Sequence, residues 1–184
     1  MKSNTKSIQN QNQNTTREEN KTMKSRKQRY TSADTSINSS KLPAVYKKTA
    51  KMISATDTVI DYGCGKHFDT YGLDDRFTGY DPFNYDHPEA LEKHYDVAFL
   101  SNVLNVIAES EVRAEILRTL QTLANRVYIT VYEGNKSGIG KVTKRDCYQL
   151  NRRLCDYIPE VVAVFGYGNV HYKSGMLICD TVSK

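Results

Sequence analysis

The sequence predicts an α/β fold built on a mostly parallel sheet, and three observations support this prediction. Short apolar runs, such as Thr58–Ile60 and Val97–Leu100, have the length of buried strands rather than of helices. A turn with two glycines, Gly63 and Gly65, follows the first run. Helical spacing of apolar residues occurs between the runs, as expected where helices connect parallel strands.

The N-terminal segment differs from the remainder in composition. Residues 1–28 are rich in Asn, Gln, Lys, Ser and Thr and almost lack large apolar side chains, which predicts a disordered basic arm. Residues 1–51 hold twelve Lys and Arg against three Asp and Glu, and the remainder holds fourteen against eighteen. A basic arm binds phosphate backbones, but a solvated tail has the same composition. We expect this arm at 1–28 and a single domain at 29–184.

The first helix is predicted to begin near Lys41, with Ser39 or Ser40 as its cap and Pro43 in its first turn. Its apolar side chains follow helical spacing: Leu42, Val45, Tyr46, Ala50 and Ile53. We expect this helix to lie against the sheet just before the first strand.

The next elements predict a shortened sheet. The first strand, Thr58–Asp61, is followed by a very short helix ending at Asp74 and by a second strand, Phe77–Tyr80. Only fourteen residues separate Asp81 from the next strand, and a helix, strand and helix cannot fit there. We therefore expect the usual third strand to be missing or vestigial, with one short helix near Pro88–Lys93.

The second half is predicted to alternate between helices and strands. Asp96–Ser101 is predicted as the central strand, because Val97–Leu100 is a continuous apolar run typical of a parallel strand covered on both faces. Ser110 is the expected cap of the next helix. The remaining elements are predicted as a helix at Ser110–Asn125, a strand at Arg126–Tyr132, a glycine-bearing loop at Glu133–Thr143, a helix at Asp146–Tyr157 and strands at Val161–Phe165 and Met176–Thr181.

Two carboxylates flank the glycine turn and indicate a nucleoside site. Asp61 ends the first strand and Asp81 follows the second, where a carboxylate can accept hydrogen bonds from both ribose hydroxyls. A dinucleotide site would need a further glycine shortly after Gly65, and none is present. Asp61 would repel a pyrophosphate and suit an ammonium group. S-adenosylmethionine has an ammonium, a sulfonium and a ribose diol, and no phosphate.

Three stretches resemble motifs of class I S-adenosylmethionine-dependent methyltransferases. Asp61–Lys66 is similar to their first motif, Gly79–Pro82 to their ribose-binding motif and Tyr95–Ile107 to their fourth-strand motif. The likeness runs from about Ser36 to the C-terminus and is greatest to small phage and bacterial methyltransferases. His67 departs from the commoner pattern, which has a third glycine there. The resemblance implies a Rossmann-like sheet with a C-terminal antiparallel strand, S-adenosylmethionine as cofactor, and a bacterial or phage-infected cytoplasm.

The same resemblance implies where the cofactor lies. Asp61 would contact the ammonium, Gly63 and Gly65 would face the methionine part, and Asp81 would hold the ribose. Asn102 would lie near the transferable methyl group, where it could hold the cofactor or orient the acceptor. A further segment, residues 35–38, would fold back over this site.

The acceptor is left open by the sequence. No Asn/Asp-Pro-Pro-Tyr/Phe motif follows the central strand, and no Pro-Cys pair marks a cytosine nucleophile. Glu133 is a candidate general base, and Tyr132 could orient a substrate. The basic loop at 133–145 fits a phosphate-bearing or acidic acceptor, so nucleic acid is a possible partner through this loop and the arm. There are two alternatives to a methyltransferase. The protein could be a lyase or hydrolase that breaks down the cofactor, or a non-catalytic module that binds the cofactor or nucleic acid.

Several classes are not expected from the composition. No apolar run reaches about 18 residues, so no spanning helix is predicted, and the first 30 residues lack the apolar segment of a signal peptide. The four cysteines show no metal-ligand spacing, and we interpret them as reduced thiols in a cytosolic protein without a metal site. The oligomeric state is not indicated.

Overall fold

The computed structural model describes residues 28–36 and 41–181. Several predictions concern residues outside the described part. These are the expected arm except for Gln28, the expected caps Ser39 and Ser40, and Ile37 and Asn38 of the segment expected to cover the site. In the described part the helices are α1 (Ala44–Thr49), α2 (Ser110–Leu123) and α3 (Ile158–Phe165), and the strands are β1 (Val59–Tyr62), β2 (Phe77–Tyr80), β3 (Tyr95–Ser101), β4 (Ala124–Thr130), β5 (Gly140–Lys144), β6 (Cys147–Leu150), β7 (Val170–Lys173) and β8 (Met176–Asp180).

Six strands form the main sheet, in the order β2-β1-β3-β4-β8-β7. The four strands β2, β1, β3 and β4 pair in parallel, while β8 runs antiparallel to β4 and β7 antiparallel to β8. This confirms the predicted α/β fold with a mostly parallel sheet and C-terminal antiparallel pairing. Strand β2 lies at the edge, because the connection to β3 holds only a 3₁₀ segment at Pro88–Glu92, as expected for a missing third strand.

The central strands are buried because each contributes apolar side chains to both faces. Alternate residues point to opposite faces of a strand, so a continuous apolar run fills two cores at once. One core lies against α2 and α3 and includes Ile60, Ala98, Leu100 and Ile129. The other lies against α1 and includes Val59, Val97, Phe99 and Tyr128.

Residues 146–165 fold differently from the prediction. The expected helix at Asp146–Tyr157 is wrong, because Cys147–Leu150 forms β6 with β5 and Leu154–Tyr157 is a single 3₁₀ turn. The expected strand at Val161–Phe165 is also wrong, since these residues complete α3. Val161 and Phe165 are one helical turn apart and both are buried, so tertiary packing overrides the strand preference of the valines.

Smaller differences concern the ends of elements. α1 begins at Ala44 after Pro43, and the helix expected before Asp74 is one 3₁₀ turn at Phe68–Tyr71. Ser110 is the first residue of α2 rather than its cap. Part of the expected loop at Glu133–Thr143 belongs to β5, which pairs with β6 in a separate ribbon. No helix of the described part is long and apolar enough to cross a membrane.

Candidate functional site

A cavity of about 1200 Å³ opens at the carboxyl ends of the parallel strands. Asp61 of β1, Asp81 after β2, Asn102 after β3 and Tyr132 after β4 all line it. Ligands of open α/β sheets bind at this edge, because the loops that follow neighbouring parallel strands meet there. Four of the strand ends singled out in the sequence are therefore brought to one cavity.

The glycine turn after β1 forms part of the wall of this cavity. Gly63 and Gly65 have φ angles of 80° and 74°, which a side chain would strain. A Cβ on Gly63 would collide with Val103 Cγ2, and one on Gly65 would lie 2.5 Å from Ser36 Oγ. The backbone N–H of Gly63 donates to Tyr80 O at 2.7 Å. The two glycines thus allow Val103 and Ser36 to pack against the backbone of the turn, which a hydrogen bond holds against β2.

Asp81 joins the glycine turn to the loop after β2. Its Oδ1 accepts hydrogen bonds from the backbone N–H groups of Phe83 and Asn84, both at 2.9 Å. Its Oδ2 accepts one from Gly65 N at 3.1 Å. A carboxylate oxygen has two lone pairs, so Oδ2 retains the capacity to accept another hydrogen bond. Asp81 is therefore both a turn residue and a potential acceptor at the cavity wall.

Asp61 is a buried carboxylate that is only half satisfied. The residue is 2% exposed, and its Oδ2 accepts a hydrogen bond of 2.7 Å from the Tyr46 hydroxyl. Its Oδ1 has no hydrogen-bond partner in the structure. Burial raises the pKa of Asp61 from 3.8 to about 7; the bond from Tyr46 opposes this rise and the nearby Asp81 adds to it. An unpaired buried carboxylate is costly, so a cationic partner would stabilise it.

Asn102 ends β3 in a left-handed conformation. Its φ is 60°, which Asn tolerates better than most residues, and its N–H donates to Thr130 O at 2.9 Å. Its side-chain amide makes no hydrogen bond within the described residues. The amide is thus available at the cavity wall.

The other two sequence candidates, Tyr132 and Glu133, separate in the structure. Tyr132 is 63% exposed and lies at the rim of the cavity. Glu133 does not line it: Oε1 accepts from Leu154 N at 2.8 Å, and Oε2 pairs with Lys136 at 3.2 Å. The Leu154 N–H and the Lys136 cation hold the pKa of Glu133 below its usual range, which makes it a weak base. Glu133, the candidate general base, therefore lies outside the lining of this cavity.

The N-terminal segment covers the site as the resemblance implied for Thr35 and Ser36. Both residues line the cavity, and Ser36 Oγ accepts a hydrogen bond of 3.2 Å from Lys66 N. Ser32 holds the segment in place: its hydroxyl donates to Val106 O and accepts from Tyr148 N. This segment therefore joins the turn after β3 to β6.

Sequence reasoning missed two features of the site: a pair of side-chain amides, and the Tyr46 hydroxyl that donates to Asp61. Asn105 Nδ2 donates to Gln149 Oε1 at 3.3 Å, and both residues line the cavity. Gln149 was missed because the β6 segment read as a helix. Tyr46 fits the helical spacing of α1, which marked it as a core residue but gave no signal of its bond to Asp61.

The charge of the cavity is mainly negative. The charged side chains that line it within the described residues are Asp61, Asp81, Asp86 and Glu115 against Lys41. A site of this sign favours a cation and disfavours a polyphosphate. Among the described residues, no group of three His, Cys, Asp or Glu side chains could hold a metal ion.

Comparisons with known proteins find similarity only among solved structures. No family model matches the chain, and no curated protein matches its sequence. A candidate O-methyltransferase from Nostoc punctiforme matches with 12% identity and a TM-score of 0.49, over 74% of this chain and 56% of that one. An S-adenosylmethionine-dependent methyltransferase from Mesorhizobium loti matches with 10% identity and a TM-score of 0.42, over 71% and 83%.

A third structure, DhpI as a complex with SAH, matches with 10% identity and a TM-score of 0.44, over 73% of this chain and 82% of that one. The present chain thus spans just over half the length of the Nostoc protein. Likeness at this level carries no argument about ligand or reaction, so the chemistry has to be derived from the side chains at the cavity.

Proposed function

We propose that the protein is an S-adenosylmethionine-dependent methyltransferase. The observation that carries the proposal is the pair of carboxylates, Asp61 and Asp81, on either side of a side-chain-free glycine turn at the end of a parallel sheet. This combination offers negative charge and hydrogen-bond acceptors where a nucleotide-phosphate site would need cations and a helix N-terminus.

The residues present fit this cofactor. Asp61 has an unpaired buried oxygen that an ammonium would satisfy, and Asp81 retains acceptor capacity for a ribose hydroxyl. Gly63 and Gly65 line the cavity with backbone alone, and Val103 and Ser36 pack closely against them. When bound, S-adenosylmethionine supplies an electrophilic methyl group on a sulfonium.

The chain's own contribution to transfer would be positioning. Displacement at a methyl group needs an aligned nucleophile more than covalent help from the protein. Asn102, with its free amide at the end of β3, is proposed to orient the acceptor or the cofactor, and Tyr132 to contact the acceptor at the rim. The cavity of about 1200 Å³ is larger than the roughly 300–1000 Å³ of an ordinary small-ligand site. It therefore has room for two molecules.

The proposal is tested by calorimetric titration with S-adenosylmethionine. We expect micromolar binding, and about ten- to a hundredfold weaker binding in Asp81→Asn, which keeps one oxygen for the turn but loses the charge. Asp75→Asn is the matched control, because this exposed residue lies outside the cavity and changes the net charge equally. A well-folded wild-type protein that does not bind the cofactor would overturn the proposal.

Turnover is tested separately from binding. Incubation with S-adenosylmethionine and candidate acceptors, followed by chromatography, should give S-adenosylhomocysteine only when an acceptor is present. Cofactor breakdown without any acceptor would instead indicate a lyase or hydrolase.

A further inference from the structure

A second, smaller cavity adjoins the first. Its volume is about 400 Å³, and three residues line both cavities: Thr35, Tyr132 and Gln149. The other lining residues come from the loop after β4 and from the β5–β6 ribbon: Gly134, Asn135, Lys141, Thr143 and Asn151. The two spaces therefore meet at the rim residue proposed to contact the acceptor.

Thr35, Tyr132 and Gln149, which line both cavities, form the neck between them. Hydrogen bonds hold part of this neck in place. Gln149 Nε2 donates to Tyr132 O at 3.2 Å and to Leu150 O at 2.9 Å. Because both protons of this amide are used, Gln149 Oε1 must accept from Asn105 Nδ2. The backbone carbonyls thus set the orientation of the Gln149 amide, and these hydrogen bonds keep the side chain of Gln149 in one position.

The charge of the second cavity is opposite to that of the first. Lys141 is the one charged side chain lining it within the described residues. Lys141 makes no ion pair among those residues. Glu133, which lies on the same loop, is already engaged by Leu154 N and Lys136.

The polar groups of the second cavity are rich in donors. Ser137 N donates to Asn135 Oδ1 at 3.2 Å, so Asn135 must present Nδ2 elsewhere, and that group has no acceptor among the described residues. Gly134 is required beside it, since its φ is 59° and a Cβ would collide with Asn151 Oδ1. An ammonium and a free amide N–H that line the same small cavity are groups that bind an oxyanion.

We propose that the second cavity binds the anionic group, a carboxylate or a phosphate, of a small methyl acceptor. This inference rests on the proposed function: the cationic cofactor occupies the acidic cavity, and the acceptor enters it through the neck with its anion held by Lys141 and Asn135. The opposite charges of the two cavities sort the two substrates. A volume of about 400 Å³ lies within the roughly 300–1000 Å³ of small-molecule sites.

The experiment is an NMR titration of the full ¹⁵N-labelled chain with inorganic phosphate and, separately, with acetate. Amide shifts should concentrate at Gly134, Asn135, Lys141 and Thr143, which line only the second cavity, with and without S-adenosylhomocysteine. Lys141→Gln should weaken the anion affinity about tenfold or more, and Asn135→Leu should weaken it too. Lys144→Gln is the matched control: it removes the same charge from the same strand but lines neither cavity, and it should change the affinity less than twofold.

The outcomes separate this inference from the proposed function. Equal weakening by Lys141→Gln and Lys144→Gln, or shifts spread over all exposed lysines, would mean an adventitious ion only and would overturn the inference while leaving cofactor binding intact. Loss of cofactor binding alone would overturn the proposed function, because the anion titration is also made without cofactor. A third arm uses a single-stranded oligonucleotide, and saturable binding that shifts these same amides would overturn the small-molecule acceptor in favour of nucleic acid.

Discussion

The protonation of Asp61 should control cofactor affinity. Burial raises its pKa to about 7, so near neutral pH the carboxyl is partly protonated, whereas an ammonium ligand requires the charged form. We expect affinity for S-adenosylmethionine to fall about tenfold per pH unit below 7, measured by calorimetry between pH 5.5 and 7.5. Asp61→Asn should bind weakly with no such slope. A slope that survives in Asp61→Asn would contradict this assignment.

Tyr46 gives an internal control for the same group. Its hydroxyl donates to Asp61 and thereby lowers the pKa, so Tyr46→Phe should move the inflection of affinity to higher pH.

The same carboxyl should lower stability at alkaline pH. Since its folded pKa lies above its ordinary value of 3.8, the folded state binds this proton more tightly than the unfolded chain. Stability from this group is therefore present at low pH and is lost as pH rises from about 4 through 7. Asp61→Asn should be about 1–4 kcal/mol more stable than the wild type at pH 8, by urea unfolding, and the gap should narrow by pH 5 and close below about pH 4. A gap that stays constant with pH would contradict the buried-carboxyl argument.

A side chain at Gly63 would destabilise the fold for two reasons, backbone strain and steric conflict, and a control position separates them. Gly72→Ala is the matched control, because its φ of 64° is also positive but nothing lies within 4 Å of the added Cβ. We expect Gly72→Ala to cost about 1 kcal/mol of unfolding free energy. Gly63→Ala should cost about 1–3 kcal/mol more, since its Cβ collides with Val103. Adding Val103→Ala should recover part of that excess, and strictly additive losses would contradict the collision.

At the scale of elements, α2 and α3 are joined by a partly buried ion network. Arg113, 4% exposed, donates to both carboxylate oxygens of Glu160 at 2.7 and 3.0 Å, and Arg152 donates to the same carboxylate at 2.6 Å. Although burial opposes ionisation, these two guanidinium groups hold the pKa of Glu160 below its ordinary value. Its contribution to stability is therefore present at neutral pH and is lost only in acid.

Glu160→Gln should be strongly destabilising because it leaves the buried Arg113 without a counter-charge. We expect a loss of about 2–4 kcal/mol at pH 7 by urea unfolding. Asp180→Asn is the matched comparison, since Asp180 pairs with Arg126 at 2.6 Å but both side chains are more than a third exposed. That change should cost less than about 1 kcal/mol. Equal losses would show that the network does not join the two helices as described.

The sequence predicts correctly those elements whose apolar pattern is compatible with only one kind of secondary structure. β1 and β3 are buried on both faces, so their apolar runs are unambiguous, and the carboxylates and glycines at their ends follow directly. The β5–β6 ribbon gives no such signal, because Lys141 and Val142 of β5 are both exposed and no apolar alternation results. Missing this ribbon also hid Gln149 and the second cavity. Glu133 lies outside the lining of the main cavity, because a hydrogen bond to another segment holds its carboxylate, and strand position gives no signal of that bond.

At the scale of the whole molecule, positive and negative charge are concentrated in different parts of the chain. Residues 1–27 hold seven Lys and Arg against two Asp and Glu, and the other residues hold nineteen of each. The formal net charge of +5 therefore belongs to residues 1–27 alone. The cavity, in contrast, is lined mainly by carboxylates. The composition of residues 1–27 thus suits a polyanion, whereas the lining of the cavity suits a cation.

Deleting residues 1–27 should separate these two properties. Among the residues that the structure describes, those lining the main cavity begin at Gln28, so we expect affinity for S-adenosylmethionine to stay within about twofold. Any affinity for duplex DNA, measured by fluorescence anisotropy, should be lost together with its salt dependence, whose slope in log K against log salt could reach about −6 for seven cations. A full-length variant with these seven residues changed to Gln is the control for chain length, and it should behave like the deletion. DNA affinity that survives both changes would have to reside in the balanced remainder, where the exposed lysines of the β5–β6 ribbon are the next cations to test.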